Sequence, residues 1–359
     1  MKKICFLGFS LFTVGGAQRV TLSLANDLSE YYETHILSVC EIPEENRNWA
    51  NSKVNVCSLG MKKDIRAKES LKLFFKVKKY LEKNHIDILF IVGSLPVPLV
   101  CILRPFLKLK VVFCEHENLH GRDKKSILFR KLAAKISDRI VVLTQTTLND
   151  YIKITKVNRN KLILIYNYID ENLLNSPVDY NINSKKIISV GRLSPEKGFD
   201  MAVEVAKLVF EKHPSWSWDV YGEGPERAKL EDKISKLGLE NKFVLKGETK
   251  EIMQKYKDYA IYVLPSYREG FAVVLIEAKS QNLPVVSFKC DSGPGEIVND
   301  ETDGYLIPCY DKVEMANKIC YLIENPEKRM QFSEKARGNI DKFTKINVLS
   351  KWKKLIESV

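Results

Sequence analysis

Short apolar runs rich in β-branched residues alternate with amphipathic helical patterns along most of this 359-residue chain. The first run, KKICFLGF, precedes GGAQRVTLSLANDLSEYY, in which Val20, Leu24 and Leu28 share one helical face. The alternation restarts with KIISVGRL and GFDMAVEVAKLVFEKH. Because each parallel strand needs a crossover connection, this pattern predicts parallel sheets with helices on both faces.

The polar segment YIDENLLNSPVDYNINSKK interrupts the alternation and predicts a linker between two domains. The predicted division is an N-terminal domain at 1–167, a linker at 168–184, a C-terminal domain at 185–342 and a final helix at 343–359. Each domain is expected to be a doubly wound, Rossmann-like α/β unit. Ligands would then bind at the carboxyl ends of the strands, in a cleft between the domains.

Several other classes of protein are disfavoured. The longest apolar stretch, ILFIVGSLPVPLVCIL, is broken by glycine and proline and is too short to span a bilayer. The eight cysteines are scattered without a C-x-x-C pair, which indicates reduced thiols rather than a disulfide framework or a zinc site. MKKICFLGFS is interpreted as a first strand and not as a signal peptide, so a cytoplasmic protein is expected.

The positive charge is confined to the first half of the chain. Residues 1–170 carry 28 Lys and Arg against 16 Asp and Glu, whereas residues 171–359 carry 29 of each kind. This asymmetry predicts an anionic partner for the first half: a phosphorylated substrate, a membrane surface or a nucleic acid.

Three motifs follow predicted strands, and the first two are a glycine pair and a basic loop. Gly15-Gly16 opens the first helix, where free backbone amides can meet an anion or allow close approach. In SVGRLSPEKGFD, Arg192 and Lys197 lie on a loop between a strand and a helix, and such cations suit a diphosphate. Taken alone, the glycine pair is equally consistent with an ordinary tight turn, and the basic loop is more simply interpreted as a solvated loop.

The stretch YREGFAVVLIEAKS holds two glutamates, Glu269 and Glu277, eight residues apart. The predicted helix begins near Ala272, so the amides of Phe271, Ala272 and Val273 belong to its unpaired first turn and favour an anion. Gly270 allows a ligand close to the backbone. Ionised carboxylates accept hydrogen bonds from sugar hydroxyls. The pair can therefore bracket a nucleotide sugar, and the alternative for Glu277 is an ordinary glutamate on the outer surface of the helix.

Taken together, these motifs resemble those of family 4 glycosyltransferases, a retaining group with the GT-B architecture. The E-x7-E spacing runs from Glu269 to Glu277. GGAQRV, GRLSPEKGFD, YGEGPERAKLE and DSGPGEIVNDETDGYLIP resemble the other characteristic segments of that family. The resemblance covers nearly the whole chain and implies a final helix that packs back on the N-terminal domain.

The resemblance also implies roles for individual residues. Arg192 and Lys197 would bind the donor diphosphate and stabilise the departing charge, Glu277 would bind the ribose, and Glu269 would contact the donor sugar. The amides of 270–273 would lie near phosphate and sugar, Leu245 and Gly247 near the base, and Gly15-Gly16 beside the donor. His116, within CEHEN, would lie by the donor sugar. No metal and no cofactor are expected, because cations and amides would meet the leaving group.

A UDP-linked hexose or N-acetylhexosamine is the donor that the resemblance favours, in bacterial surface-glycan synthesis such as O-antigen or capsule. Lys68, Lys72, Lys76 and Lys79 fall on one helical stripe, and apolar residues that include Leu71, Phe74, Phe75 and Leu81 form the complementary side, which is expected to be buried. Solvated lysines are the ordinary explanation. The alternative is that residues 60–135 hold the protein peripherally on the anionic inner face of the plasma membrane, where a polyprenyl-diphosphate-linked or glycan acceptor would be found.

Two other functions stay open at this stage. A GT-B epimerase or phosphorylase would share the donor motifs but would leave the basic first half unexplained. A nucleic-acid-binding or membrane-binding protein without catalysis would explain the charge alone. A nucleic-acid partner is not expected, since no recognisable module interleaves basic and aromatic residues.

Overall fold

The computed structural model describes residues 1–13, 15–62, 67–119, 123–169, 171, 174, 179–249 and 251–359, with only the backbone described for 67 and 68. Contacts divide the chain into two units. Unit 1 comprises Met1–Ile165 with Leu349–Val359, and unit 2 comprises Tyr166–Val348. Part of the predicted linker, including residues 170, 172–173 and 175–178, lies outside the described residues.

Unit 1 is built on a parallel sheet. Its strands are β1 (Lys3–Gly8), β2 (Glu33–Cys40), β3 (Asn55–Met61), β4 (Ile88–Val92), β5 (Lys110–Cys114), β6 (Arg139–Val142) and β7 (Leu162–Leu164). Their order is β3-β2-β1-β4-β5-β6-β7, and every strand pair is parallel, as in Ile4↔Ile88 between β1 and β4. The predicted fold class is confirmed for this half.

Helices cover both faces of this sheet. They are Gly16–Leu28, Ala67–Lys83, Val97–Leu103, Lys124–Ile136 and Gln145–Thr155. The last of these helices was not predicted, because TQTTLNDYIKIT is mostly polar; it begins where the Thr144 hydroxyl accepts from the Thr147 amide. Leu73, Val77, Val100 and Ala133 belong to one buried cluster with strand residues, so their helices share one face of the sheet.

Unit 2 repeats the architecture. Its strands are β8 (Lys186–Val190), β9 (Ser217–Tyr221), β10 (Phe243–Gly247), β11 (Ile261–Leu264), β12 (Val285–Lys289) and β13 (Gly304–Pro308). They are parallel in the order β10-β9-β8-β11-β12-β13. The helices are Phe199–Lys212, Arg227–Lys236, Ile252–Lys255, Val273–Ser280, Pro294–Ile297, Lys312–Glu324 and Pro326–Lys335.

The final helix, Lys345–Ser358, begins in unit 2 and ends in unit 1. Trp352 packs edge-on against Phe90 of β4, with ring centroids 5.7 Å apart, and the Lys2 ammonium donates to the carbonyl of Ile356 at 2.7 Å. The predicted return of this helix to the N-terminal domain is therefore confirmed. In the part of the chain that the structure describes, no helix is both long and apolar enough to cross a membrane.

Candidate functional site

Two loops at the carboxyl edge of the second sheet carry most of the predicted site residues. One follows β8 and runs from Gly191 to Gly198; the other follows β11 and runs from Pro265 to Ala272. β8 and β11 are neighbours in the sheet, and the strand order changes direction between them, since β9 lies on the far side of β8. In open α/β sheets such a reversal leaves a crevice in which ligands bind.

The two loops are joined by hydrogen bonds. The amide of Tyr267 donates to the carbonyl of Glu196 at 2.9 Å, and the Tyr267 hydroxyl donates to the Asp200 carboxylate. Between them, Gly198 has a φ of +66°, and a Cβ added there would lie 2.0 Å from the Pro265 carbonyl oxygen. Because any side chain would collide with this carbonyl, the loops can approach this closely only with glycine at 198.

Lys197 and Glu269 form an ion pair across the two loops. The lysine Nζ lies 2.8 Å from Oε1 and 3.0 Å from Oε2 of Glu269, whose side chain is buried. Burial alone would lower the pKa of Lys197, but its acidic neighbours, chiefly the Glu269 carboxylate, together outweigh burial and raise the pKa above its ordinary value. The sequence-based interpretation gave these two residues separate ligand groups, whereas the structure makes each the partner of the other.

Arg192 differs from Lys197 in having no carboxylate bound directly to its charged group. Its side chain is exposed, and its guanidinium makes no hydrogen bond or ion pair with any residue that the structure describes. Its positive charge is near the Glu196 carboxyl, whose pKa is, despite partial desolvation, lowered by a hydrogen bond from Ser194 and by the charges of Lys197 and Arg192, but the guanidinium is not held by a direct contact as Lys197 is. A planar guanidinium can bind two phosphate oxygens at once.

Glu277 lies in the second turn of the helix Val273–Ser280 and is buried. Its Oε2 accepts a hydrogen bond of 3.0 Å from the hydroxyl of Tyr256, which is itself completely buried. The alternative of a glutamate on the outer helix surface is therefore excluded. A carboxylate retained in a covered site with a fixed phenol is positioned to accept hydrogen bonds from a ligand.

The backbone between Glu269 and this helix presents free amides. Those of Gly270, Phe271 and Ala272 donate no hydrogen bond to the described part of the chain. The prediction was wrong for Val273, whose amide donates to the carbonyl of Phe271 at 2.9 Å. Ala272, at φ −78° and ψ 77°, makes an inverse γ-turn that uses this amide, so the free donors end one residue earlier than expected.

A third segment supports the second loop. Gly293 has a φ of +98°, and a Cβ added there would lie 3.2 Å from the Glu269 Cβ and 3.4 Å from the Ala272 nitrogen. The Ser292 hydroxyl donates to the Gly270 carbonyl at 3.2 Å. The sequence DSGPGE therefore packs directly behind the loop that carries the free amides.

The residues predicted to meet a base lie at the ends of β9 and β10. The amide of Gly222 donates to the carbonyl of Gly247 at 2.9 Å, and the register between these strands shifts between Leu245 and Gly247. A Cβ on Gly222 would lie 1.9 Å from the Gly191 carbonyl oxygen. Leu245 and Gly247 are therefore placed beside the loop of Arg192.

Gly15 and Gly16 lie in unit 1, after β1. Gly15 is the N-cap of the helix Gly16–Leu28, without a side-chain cap, and a Cβ on Gly16 would meet no atom within 4 Å. β1 and β4 are neighbours at the point where the strand order of the first sheet reverses. The first sheet therefore places this glycine pair at the position that corresponds to the Arg192 loop in the second.

His116 follows β5 in unit 1 and is flanked by two carboxylates that share one guanidinium. Arg130 is completely buried; its Nε lies 2.6 Å and its Nη2 3.1 Å from the oxygens of Glu115, and Nη2 also donates to Glu117 at 2.8 Å. The hydroxyl of Tyr151 donates to Glu115 at 3.0 Å. The residues on both sides of His116 are therefore fixed by Arg130.

The His116 imidazole is neutral near pH 7. Burial lowers its pKa to about 4, against a smaller opposite effect of Glu117. Its Nδ1 is covered and has no hydrogen-bond partner among the described residues. A neutral ring of this kind can hydrogen-bond a hydroxyl group without adding charge.

The predicted lysine stripe is not uniform. Lys72 and Lys79 are exposed, but the ammonium of Lys76 donates to the Leu59 carbonyl at 2.6 Å and is half-buried. Lys76 therefore faces β3 and not the outer surface, since its long side chain reaches back to the sheet. The side chain of Lys68 lies outside the described residues.

Two family models match adjoining parts of the chain. The one described as Glycosyltransferase Family 4 matches residues 14–173, and the one described as Glycosyl transferases group 1 matches residues 176–339. The chain belongs to glycosyltransferase family 4. As a member of this family it is a glycosyltransferase with the GT-B fold, which confirms the resemblance drawn from the E-x7-E and accompanying motifs.

Two relatives match this chain over nearly their whole length. The amylovoran biosynthesis glycosyltransferase AmsD of Erwinia amylovora is 28% identical, covering 99% of this chain and 100% of the relative. A Campylobacter jejuni α-1,4-N-acetyl-D-galactosaminyltransferase, whose named acceptor is a GalNAc-containing diNAcBac-PP-undecaprenol, is 25% identical over 100% of this chain and 99% of the relative. Among solved structures, Anabaena HepE in complex with UDP-glucose superposes with a TM-score of 0.86 at 20% identity, covering 100% of both chains.

Tyr256 and Arg130 are the site-supporting residues that the sequence did not reveal. Tyr256 lies in KEIMQKYKD, where it resembles any apolar residue of a short helix, and its partner Glu277 is 21 residues away. Arg130 lies in a strongly basic helix, where charge alone indicates a solvated side chain. In each case the signal is a long-range pairing, which local pattern cannot provide.

The close approach at Gly198 leads to a testable prediction with an internal control. Gly198 and Gly238 both have φ of +66°, but a Cβ on Gly238 would meet nothing within 4 Å. Gly238→Ala is expected to cost only the backbone strain, about 1–2 kcal/mol of unfolding free energy. Gly198→Ala adds the collision with Pro265 and should lower the melting temperature further and weaken donor binding. Equal melting temperatures and donor affinities for the two variants would contradict this account of the loop.

Proposed function

We propose that this glycosyltransferase moves a hexose or N-acetylhexosamine from a UDP-sugar, with retention of configuration and without a metal, to a lipid-linked or polysaccharide-precursor acceptor. The observation that carries the proposal is the arrangement at the β8–β11 switch point. The exposed Arg192 guanidinium and three free amides lie there on two hydrogen-bonded loops, and the buried Glu277 carboxylate lies on the helix that follows the second loop. That set suits a sugar nucleotide: a diphosphate for the cation and amides, and a ribose for the carboxylate.

The charges assign different tasks to the residues. Arg192 and the amides of Gly270 to Ala272 bind the diphosphate and stabilise the charge that develops as the glycosidic bond breaks. Glu269 holds Lys197 charged and fixed, so that the ammonium can also face the phosphates. Glu269 therefore acts by orienting a cation, in addition to any contact with the sugar.

In the proposed reaction, the anomeric carbon loses its bond to the β-phosphate oxygen and gains one to the acceptor oxygen on the same face. The departing phosphate takes the acceptor's proton, so no separate general base is needed. His116, neutral at working pH, hydrogen-bonds the donor sugar. Preorganised cations and amides provide the electrostatic stabilisation that this path requires.

The relatives support the choice of donor and acceptor. HepE was solved with UDP-glucose, the Campylobacter enzyme is named for an undecaprenol-linked acceptor, and AmsD is named for amylovoran biosynthesis. From this comparison we propose that the protein acts in bacterial surface-glycan synthesis, at the inner face of the plasma membrane. An epimerase or phosphorylase would use the same donor loops but no lipid-linked acceptor.

A thermal-shift screen over UDP-, GDP- and ADP-sugars in EDTA tests the donor. A ligand that binds only the folded protein raises the melting temperature, so the UDP-sugars should give the largest shifts. The NMR spectrum of the product should show the anomeric configuration of the donor. A larger shift with GDP- or ADP-sugars would overturn the choice of UDP, and an inverted product would overturn the mechanism.

A further inference from the structure

One layer of helices in unit 1 exposes a group of large apolar side chains. Helices Ala67–Lys83, Val97–Leu103 and Lys124–Ile136 pack their inner sides on the same face of the first sheet. Their opposite sides, together with the turn Arg104–Phe106, form what we call the outer helical surface. More than half of each of the following side chains is exposed there: Leu71, Phe75, Ile102, Phe106 and Leu128.

Two of these side chains, Phe75 and Phe106, are linked through a third aromatic ring. The Phe74 ring lies edge-on to both Phe75 and Phe106, with centroids 5.2 Å and 5.9 Å away. Phe74 is half-buried, whereas Phe75 and Phe106 are 59% and 57% exposed. Single exposed apolar residues need no explanation, but an aromatic cluster on adjoining elements marks an interaction surface.

The sequence-based interpretation placed Leu71 and Phe75 on the buried side of their helix, and the structure corrects this. Leu73, Val77 and Leu81 are the residues that face the sheet, and Leu71 and Phe75 point away from it. The exposed Lys72 and Lys79 therefore share the outer side with Phe75. Cationic and apolar groups lie on one surface instead of opposite ones.

Other exposed lysines extend the positive charge over the same surface. Lys108 follows the turn Arg104–Phe106, and further exposed lysines lie on the helix Lys124–Ile136, namely Lys124, Lys125, Lys131 and Lys135. None of these, nor Lys72 or Lys79, forms an ion pair within the described ranges. Lys125 lies over the Phe129 ring, with its Nζ 5.7 Å from the ring centroid. Exposed lysines without carboxylate partners, around exposed aromatic and aliphatic groups, match a partner surface that is anionic outside and apolar beneath.

We propose that the outer helical surface docks the protein on an anionic lipid bilayer, with Phe75 and Phe106 entering the interface and the lysines facing lipid phosphates. The proposal deepens the proposed function, since a lipid-linked acceptor would be met at that bilayer, but docking itself does not depend on which donor is used. Charge complementarity favours lipid over an uncharged protein partner. A nucleic acid would leave the leucines and Ile102 without a purpose.

Flotation with phosphatidylcholine vesicles, with and without phosphatidylglycerol, tests this proposal. The wild-type protein should float with the anionic vesicles and much less with the neutral ones. The Phe75→Ser/Phe106→Ser variant should bind the anionic vesicles with an apparent affinity roughly tenfold or more below that of the wild type, because two aromatic side chains no longer become buried in lipid. Lys72→Glu/Lys79→Glu should also reduce binding, most strongly at low salt.

Matched controls come from unit 2. The Val313→Ser/Ile346→Ser variant has the same kind of change at side chains that are 61% and 75% exposed. This variant protein should float like the wild type. Lys207→Glu/Lys257→Glu removes two exposed lysines there and should have little effect. All variants should keep their thermal shift with UDP, which shows that they are folded and separates this test from that of the donor.

Two results would overturn the proposal. One is flotation of the Phe75/Phe106 variant equal to that of the wild type. The other is that the wild-type protein fails to float and instead forms a concentration-dependent dimer on gel filtration, which the Phe75/Phe106 variant does not form. That result would assign the surface to a second copy of the chain.

Discussion

Replacing Arg192 with alanine is expected to lower kcat about 10²–10³-fold, the loss typical when one preorganised charge stabiliser is removed. Because this side chain is exposed and makes no hydrogen bond or ion pair with the described residues, the melting temperature should change little. Arg192→Lys should restore only part of the rate, since an ammonium keeps the charge but loses the two-point contact. Arg47→Ala, at an exposed arginine of unit 1, is the matched control.

Lys197 should behave differently from Arg192. Lys197→Ala removes a cation and also leaves the buried Glu269 carboxylate without its partner, so both rate and stability should fall. Lys197→Met/Glu269→Gln should regain stability but not activity, because the unpaired charge is gone while the cation is still missing. Transfer rates in EDTA and melting temperatures separate the two effects. Full stability of Lys197→Ala would contradict the ion pair.

The second large effect is expected at Arg130. Arg130→Met leaves the fully buried Glu115 carboxylate uncompensated, and breaking such a pair typically costs 3–5 kcal/mol of unfolding free energy. Burial already raises the pKa of Glu115 in the intact pair. Arg130→Met/Glu115→Gln should therefore recover part of the loss. The measurement is chemical denaturation of the variants beside the wild type.

The same variant tests whether Arg130 also positions His116. Since the guanidinium holds the residues on both sides of His116, its loss should lower kcat, whereas UDP affinity should stay unchanged because the Arg192 loop belongs to the other unit. Exposed Arg47→Ala again serves as the control. Wild-type stability and rate in Arg130→Met would show that the buried network is dispensable.

Much of the fold followed from sequence because strand and helix periodicities differ so strongly. The alternation gave the class of both sheets, and the loops of Arg192 and Glu269 were correctly placed after strands. The strand order that makes β8 and β11 neighbours could not be predicted from local sequence patterns. It depends on crossovers that the sequence does not mark.

The pairings within the site were the least predictable part. Lys197 pairs with Glu269, 72 residues away along the chain, and Tyr256 with Glu277, 21 residues away. Nothing in the local sequence pattern around either residue indicates its partner. Leu71 and Phe75 were misplaced because a helical period fixes the centre of the buried face better than its edges. Val273 was misjudged because an inverse γ-turn satisfies an amide that an unmodified helix start would leave free.

Calorimetric titration with UDP tests the proposal that unit 2 holds a UDP-sugar through Glu277. The wild-type protein should bind UDP, and Glu277→Gln should weaken binding about 10–100-fold, the effect of removing a hydrogen bond to a charged group. Glu211→Gln, at an exposed glutamate of the same unit, should bind like the wild type. Unchanged UDP affinity in Glu277→Gln would contradict the claim.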